Sequence, residues 1–84
     1  MSEVVVYTTD RCAFCVRVKM LLKARDIEFE EINLAGDPTA IVDLAERTGM
    51  MTLPQVMIDG QLVGGYEETA AAEQSGLLDE LLAA

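Results

Sequence analysis

The chain has no histidine and no tryptophan in 84 residues, and only two cysteines and two prolines. Without histidine there is no imidazole to act as a general base, a near-neutral pH switch or a metal ligand. Any nucleophile must therefore be activated by its electrostatic surroundings. Positive charge is scarce as well. Six Lys and Arg stand against fifteen Asp and Glu, a net charge of −9, which excludes the basic surface that general nucleic-acid binding requires. No apolar run exceeds a few residues, so no segment reads as a membrane span and no membrane partner is expected. The start, Met1-Ser2-Glu3-Val4, lacks the charged and apolar regions of a secretory leader, and the expected location is cytoplasmic.

What is present suffices for a fold. Hydrophobic residues make up 51% of the chain and mean hydropathy is +0.25, values that argue against a disordered tail. A chain of this length supports one modest core, so residues 1–84 are expected to form a single domain. Charge is unevenly distributed. Residues 1–25 hold Arg11, Arg17, Lys19, Lys23 and Arg25 against two acids, whereas residues 26–84 hold only Arg47 against thirteen. The cations thus gather around the cysteines, either as a solvated helix face or as part of the site.

Periodicity places the elements. Val4 to Tyr7 is a β-branched run suited to a buried strand. From Ala13 to about Arg25, Phe14, Val18, Leu21 and Leu22 recur at helical spacing, with Arg17, Lys19 and Lys23 off the stripe. Ile27 to Leu34 reads as a second strand, with Ile27, Phe29 and Ile32 on one side. Asp37-Pro38 is an N-cap followed by proline at the first helical position, and Gly49 ends that helix. Gln55–Ile58 and Gln61–Val63 flank Asp59-Gly60, the signature of a tight hairpin. A short helix from about Glu67 to Gln74 is broken by Gly76, and Leu77 to Leu82 form a last one. The order β-α-β-α-β-β-α predicts an α/β sandwich, a mixed four-stranded sheet with helices on both faces. Its first two strands are parallel and its last two antiparallel.

Chemistry concentrates in Cys12-Ala13-Phe14-Cys15, at the junction of the first strand and first helix. Cys12 precedes the first helical turn, where unpaired N–H groups and the positive end of the helix dipole favour a thiolate, and Arg11 adds to the effect. Such settings lower a cysteine pKa from about 8.5 to roughly 3.5–7.5. Cys15, one turn further in, is shielded yet near enough to form a disulfide. The pair therefore reads as one attacking thiol and one resolving thiol. A zinc half-site would need two further ligands that the chain lacks as Cys or His. A purely structural bridge across two residues would constrain the unfolded chain little. Leu53-Pro54 opens the third strand, and proline at a strand start is ordinary, trans in most cases. Gly64-Gly65-Tyr66-Glu67-Glu68 reads either as a hairpin exit with helix capping or as a helix N-terminus offered to a ligand carboxylate, with an acid nearby for a ligand amine.

Taken in order, Tyr7-Thr8-Thr9, the Cys12–Cys15 motif, Arg17, Lys19, Asp37-Pro38 and Arg47-Thr48-Gly49 resemble a dithiol glutaredoxin. Thr52-Leu53-Pro54-Gln55-Val56, Ile58-Asp59-Gly60, Val63-Gly64-Gly65-Tyr66 and Gly76-Leu77-Leu78 extend the resemblance over essentially the whole chain. The resemblance implies a thioredoxin fold, a monomer, glutathione as reductant and a cis peptide before Pro54, reversing the ordinary reading above. It makes Cys12 the nucleophile and Cys15 the resolving thiol, with Arg11 beside them as a thiolate-stabilising residue. It also implies glutathione contacts from Phe14, Thr52, Leu53, Pro54, Gly65, Tyr66 and Glu67. Ala13 stands where proline is commonest, Thr9 where many members carry lysine, and Ala40 and Ile41 are neutral where basic residues often hold the glycyl carboxylate, for which Arg11 is a substitute. Members lacking the proline sometimes bind a [2Fe-2S] cluster between two subunits, through the residue matching Cys12.

The function expected is glutathione-dependent reduction of protein disulfides and of glutathionylated proteins. One rival is a redoxin fed by thioredoxin reductase, such as a donor to ribonucleotide reductase. Gly64-Gly65-Tyr66-Glu67 favours glutathione over that rival, since such redoxins usually carry a Trp-Ser-Gly-Phe type segment there. The other rival is a [2Fe-2S] carrier, whose usual motif ends in serine where Cys15 stands.

Overall fold

Strand β1 (Val4–Thr8) has two unequal faces: Val4, Val6 and Thr8 are buried, while Val5 and Tyr7 are half-buried. That alternation is the period-two pattern of a strand between two layers. The structure is a computed structural model and describes residues 2–83. After β1 come α1 (Ala13–Ala24), β2 (Glu30–Asn33), α2 (Pro38–Thr48), β3 (Gln55–Ile58), β4 (Gln61–Gly64), α3 (Tyr66–Ser75) and α4 (Leu77–Ala83). The sheet order is β2-β1-β3-β4, with β1 parallel to β2 and antiparallel to β3, and β3 antiparallel to β4. This is the mixed four-stranded sheet that the sequence predicts, with the final helical segment split into α3 and α4 at Gly76.

The main core lies on one face of the sheet. Val4 and Val6 of β1 and Val56 and Ile58 of β3 pack with Val18 and Leu22 of α1, Ala72 of α3 and Leu78 of α4. Burying a side chain such as Leu22, which is wholly enclosed, contributes roughly 1.5–3 kcal/mol. Leu44 of α2 is equally buried but lies outside that cluster. Its helix is capped as read: the Asp37 carboxylate accepts from the Ala40 N–H at 3.1 Å, and Gly49 closes the far end at φ 76°. The Asp59-Gly60 turn has both residues at positive φ, 51° and 79°, as a tight hairpin of that type requires. The Asp59 carboxylate accepts from the Glu3 N–H at 2.7 Å, pinning the turn to the start of β1.

The second strand is shorter than Ile27–Leu34. The N–H groups of Arg25, Asp26 and Ile27 are taken by the carbonyls of Leu22 and Lys23, so Ile27 closes the end of α1 instead of pairing with β1. Ile27 and Phe29 still pack against the main core. Ile32 does not join them. It pairs beside Tyr7 on the opposite face, as period-two geometry demands of residues three apart.

Tertiary structure also neutralises part of the cationic cluster. The Arg25 guanidinium bonds Glu73 at 2.6 Å and Asp79 at 3.1 Å, tying the end of α1 to α3 and α4. Lys19 lies 3.0 Å from Glu31 of β2, whose carboxylate also accepts from the Thr8 hydroxyl at 2.7 Å. The Thr8 hydrogen bond, followed by the one from Lys19, holds the Glu31 carboxyl below the usual range. A value lowered by folding means that this contribution is present above the unfolded pKa and is lost as pH falls through the folded one. Glu31→Gln should therefore be less stable than the wild type at neutral pH, with the gap closing in acid as the folded carboxyl takes up its proton. Urea midpoints at neutral and at acid pH check this, and an equal gap at both would show the carboxylate to be idle.

Candidate active site

Between β1 and α1 the chain must turn sharply, and Arg11 makes the turn at φ 55°, in the left-handed region. A side chain other than glycine held there costs on the order of 1 kcal/mol, a strain typical of functional junctions. Cys12 follows in extended conformation as the N-cap of α1, and its Sγ accepts from the Cys15 N–H at 3.1 Å. Sulfur thus stands where a Ser or Asp oxygen ordinarily caps a helix. An amide donor and the helix dipole at that position stabilise the thiolate over the thiol. The two cysteines are joined as a disulfide with Cα atoms 5.2 Å apart, so this is the oxidised protein. Cys15 is only 2% exposed whereas Cys12 is half-buried, which leaves Cys12 as the sulfur that a substrate meets first.

A second segment approaches from across the sheet. The loop between α2 and β3 carries a cis Leu53–Pro54 bond, and the Leu53 carbonyl oxygen lies 3.8 Å from Cys12 Sγ. Beside it opens a cleft of about 360 Å³. Phe14, Thr52, Leu53, Pro54, Gly65, Tyr66 and Glu67, the seven residues singled out from the sequence, all line it. They come from α1, the β3 loop and the start of α3. Glu68, the last residue of the segment read as helix cap or ligand site, lines it too, as does Met50, which no sequence signal marked. Phe14 stacks on Tyr66 at 5.8 Å between ring centroids, with the Arg17 guanidinium 5.4 Å from the Phe14 ring. Glu68 is committed to structure, because its carboxylate reaches back to accept from the Gly65 N–H at 2.7 Å. Gly64 sits at φ 133°, where an added Cβ would lie 2.6 Å from that of Glu68, so only glycine fits under this cap.

Arg11 is not in that cleft. It lines a second one of about 520 Å³ on the other side of the motif, with Cys12, Cys15, Lys19, Glu31 and Asn33. Arg11 therefore shares a cleft with both cysteines, but the geometry does not bring it to the cleft lined by Phe14 and Tyr66. Among the described residues no group of three or more His, Cys, Asp or Glu is gathered as for a metal ion.

A family profile described as Glutaredoxin matches residues 4–63. The chain belongs to the glutaredoxin family. It is 42% identical over 84 residues to a glutaredoxin of Pseudomonas aeruginosa, with both chains fully covered. It is 35% identical over 82 residues to glutaredoxin 3 of Escherichia coli K12, covering 98% of this chain and 99% of that one. Its fold is similar to that of a buckwheat glutaredoxin–glutathione complex, at a TM-score of 0.88 and 29% identity over 98% of this chain and 77% of the other. The fold is the thioredoxin fold of that family, and the protein is a thiol–disulfide oxidoreductase with a redox-active cysteine pair. The sequence has two cysteines and no histidine, so one chain by itself supplies fewer than the four Cys or His ligands of a [2Fe-2S] cluster.

Two outcomes follow from the capped sulfur and the crowded glycine. In Cys15→Ser only one thiol remains, and ultraviolet titration should place its midpoint well below about 8.5. A midpoint at or above that value would remove the electrostatic argument. Gly64→Ala should lose on the order of 2 kcal/mol of stability by chemical denaturation, through strain at positive φ and the collision with Glu68. A loss within about 0.5 kcal/mol, the scatter of ordinary surface substitutions, would show that the turn can relax.

Proposed function

We propose that this glutaredoxin uses glutathione to reduce protein disulfides and glutathionylated proteins, with the cytoplasm as its site of action. The observation that carries the reading is the single cleft formed by Phe14, Thr52-Leu53-Pro54 and Gly65-Tyr66-Glu67, whose Leu53 wall lies 3.8 Å from Cys12 Sγ. The Leu53 backbone has the position to pair with the cysteinyl part of glutathione as an added strand does. The unpaired amides at the start of α3 suit the γ-glutamyl carboxylate, Glu67 suits its amine, and the Phe14–Tyr66 stack walls one side. Support also comes from the buckwheat relative of similar fold, described as a glutathione complex.

The chemistry then runs as two nucleophilic displacements at sulfur. With a glutathionylated protein, the Cys12 thiolate attacks the glutathionyl sulfur. The client thiolate leaves with the electron pair of the broken S–S bond and takes up a proton. A second glutathione, as thiolate, attacks the glutathionyl sulfur, giving glutathione disulfide and restoring the Cys12 thiolate. With a protein disulfide, Cys12 becomes bonded to one client sulfur while the other leaves. Cys15 loses its proton and attacks Cys12 Sγ, releasing the client and leaving the Cys12–Cys15 disulfide that the structure contains. Two glutathione molecules then reduce that bond. The intramolecular step outcompetes dissolved glutathione because Cys15 is already held beside Cys12, at an effective concentration above the millimolar range.

Cys15→Ser should therefore keep much of its activity on a glutathionylated peptide and lose most of it on a disulfide-bonded protein, whereas Cys12→Ser should lose both. An active Cys12→Ser beside a Cys15→Ser dead in both assays would reverse the assignment. The reductant is tested by mixing oxidised protein with glutathione, or separately with thioredoxin reductase and NADPH. Glutathione should reduce it, and reduction by the second mixture alone would overturn the proposal.

A further inference from the structure

Residues 49–54 form neither helix nor strand, so the backbone groups of this segment need partners off the sheet ladder. Two side chains supply them. At one end the Met50 N–H donates to Thr48 Oγ1 at 3.2 Å, and Thr48 in turn donates to the Leu44 carbonyl of α2 at 3.0 Å. At the other, Gln55 Nε2 donates to the Met50 carbonyl at 2.7 Å and to the Thr52 carbonyl at 3.1 Å. Gln55 is 2% exposed, the first residue of β3, and sits opposite Tyr7 of β1. The amide can face only one way, since exchanging its nitrogen and oxygen would aim lone pairs at two carbonyl oxygens.

We propose that Gln55 is a positioning residue of the exchange reaction, whose two N–H groups hold the 50–53 backbone so that Leu53 meets the disulfide formed at Cys12. The fate of its oxygen supports this. Gln55 Oε1 has no hydrogen-bond partner among the described residues, and a buried acceptor left unpaired costs about 1–3 kcal/mol. A methionine or leucine would fill the same space without that cost, so what the position retains is the pair of donors. The clamp acts at a distance. Gln55 grips Met50 and Thr52, and Leu53, the next residue, places its carbonyl 3.8 Å from Cys12 Sγ. Misplacing a group by about 1 Å at a reacting centre can cost on the order of a hundredfold in rate. The inference rests on the reading that Leu53 flanks the substrate sulfur, and concerns the exchange step whichever thiol later regenerates the enzyme.

The test uses the Cys15→Ser background, so that one thiol reports. Gln55→Met keeps the length of the side chain and removes both donors. Its rate constant for exchange with a glutathionylated peptide should fall about tenfold, on the scale of misplacement at the reacting centre. Alkylation of Cys12 by iodoacetamide needs only an exposed thiolate, and its pH midpoint and plateau rate should stay unchanged. Thr48→Val removes the other tether with Gln55 intact. It should lower exchange about threefold with alkylation again unchanged, which decides the matter if Gln55→Met fails to fold. Exchange unaffected in both variants overturns the proposal, as does a parallel fall of exchange and alkylation, the mark of a site that has merely collapsed. If the unmodified background fails to exchange with the glutathionylated peptide, the glutathione reading falls instead. The same comparison on a disulfide-linked peptide dimer then decides the role of Gln55.

Discussion

The contact on which the site depends is the hydrogen bond from the Cys15 N–H to Cys12 Sγ, 3.1 Å long, at the first turn of α1. It makes one sulfur atom both helix cap and nucleophile. A cap must sit in extended backbone just before the helix, and β1 together with the strained Arg11 delivers Cys12 there. The helix must also be rigid relative to the sheet, which Val18 and Leu22 achieve by burial against Val4 and Val6. In a chain without histidine, this arrangement does by fixed dipoles what a neighbouring base would do elsewhere. The same turn hides Cys15 behind Cys12, so one geometric device both activates the attacker and holds the resolver in reserve.

Two clefts flank the motif, and their chemistry differs. The first is walled by aromatic and aliphatic side chains and by backbone, with Glu67 as its uncommitted acid and Glu68 consumed in capping α3. The second is polar, and its charges are largely paired: Lys19 with Glu31, and Asn33 donating to Asp10 at 3.0 Å. Much of the positive charge around the cysteines is thus spent on joining α1 to β2, α3 and α4. Exposed pairs of this kind add little stability each. Of the remaining cations, Arg11 lines the polar cleft and Arg17 lies over the Phe14 ring.

Polar groups around the site follow one rule, that irregular backbone is held by side chains from regular elements. Glu68 of α3 satisfies the Gly65 amide, Thr48 of α2 the Met50 amide, and Gln55 of β3 two loop carbonyls. Each tether runs from an element fixed by the core to a segment that a substrate touches, so precision at the cleft is borrowed from the packed layers. Gln55 departs from full hydrogen-bond satisfaction, and such departures are expected where function competes with stability.

Signals confined to a few neighbouring residues were legible in the sequence. The Cys12–Cys15 spacing, the Asp37-Pro38 cap, the Gly49 stop and the Asp59-Gly60 turn each act within four residues, so backbone sterics and local hydrogen bonds determine them before any tertiary contact forms. The resemblance carried the seven cleft residues, which no local pattern connects. What only the tertiary structure decided lies across elements. The shortening of β2 follows from Ile27 closing α1, and the capture of Lys19 by Glu31 from the parallel register of β1 and β2. Arg11 falls in the second cleft because the strand-to-helix turn is left-handed there. Met50 and Glu68 come to line the cleft only once the loop meets α1 and α3, although the hydrogen bonds that Glu68 and Gln55 make span just three to five residues. Sheet order and register bring the cleft residues together from tens of positions apart, and neither is written in the composition of any one segment.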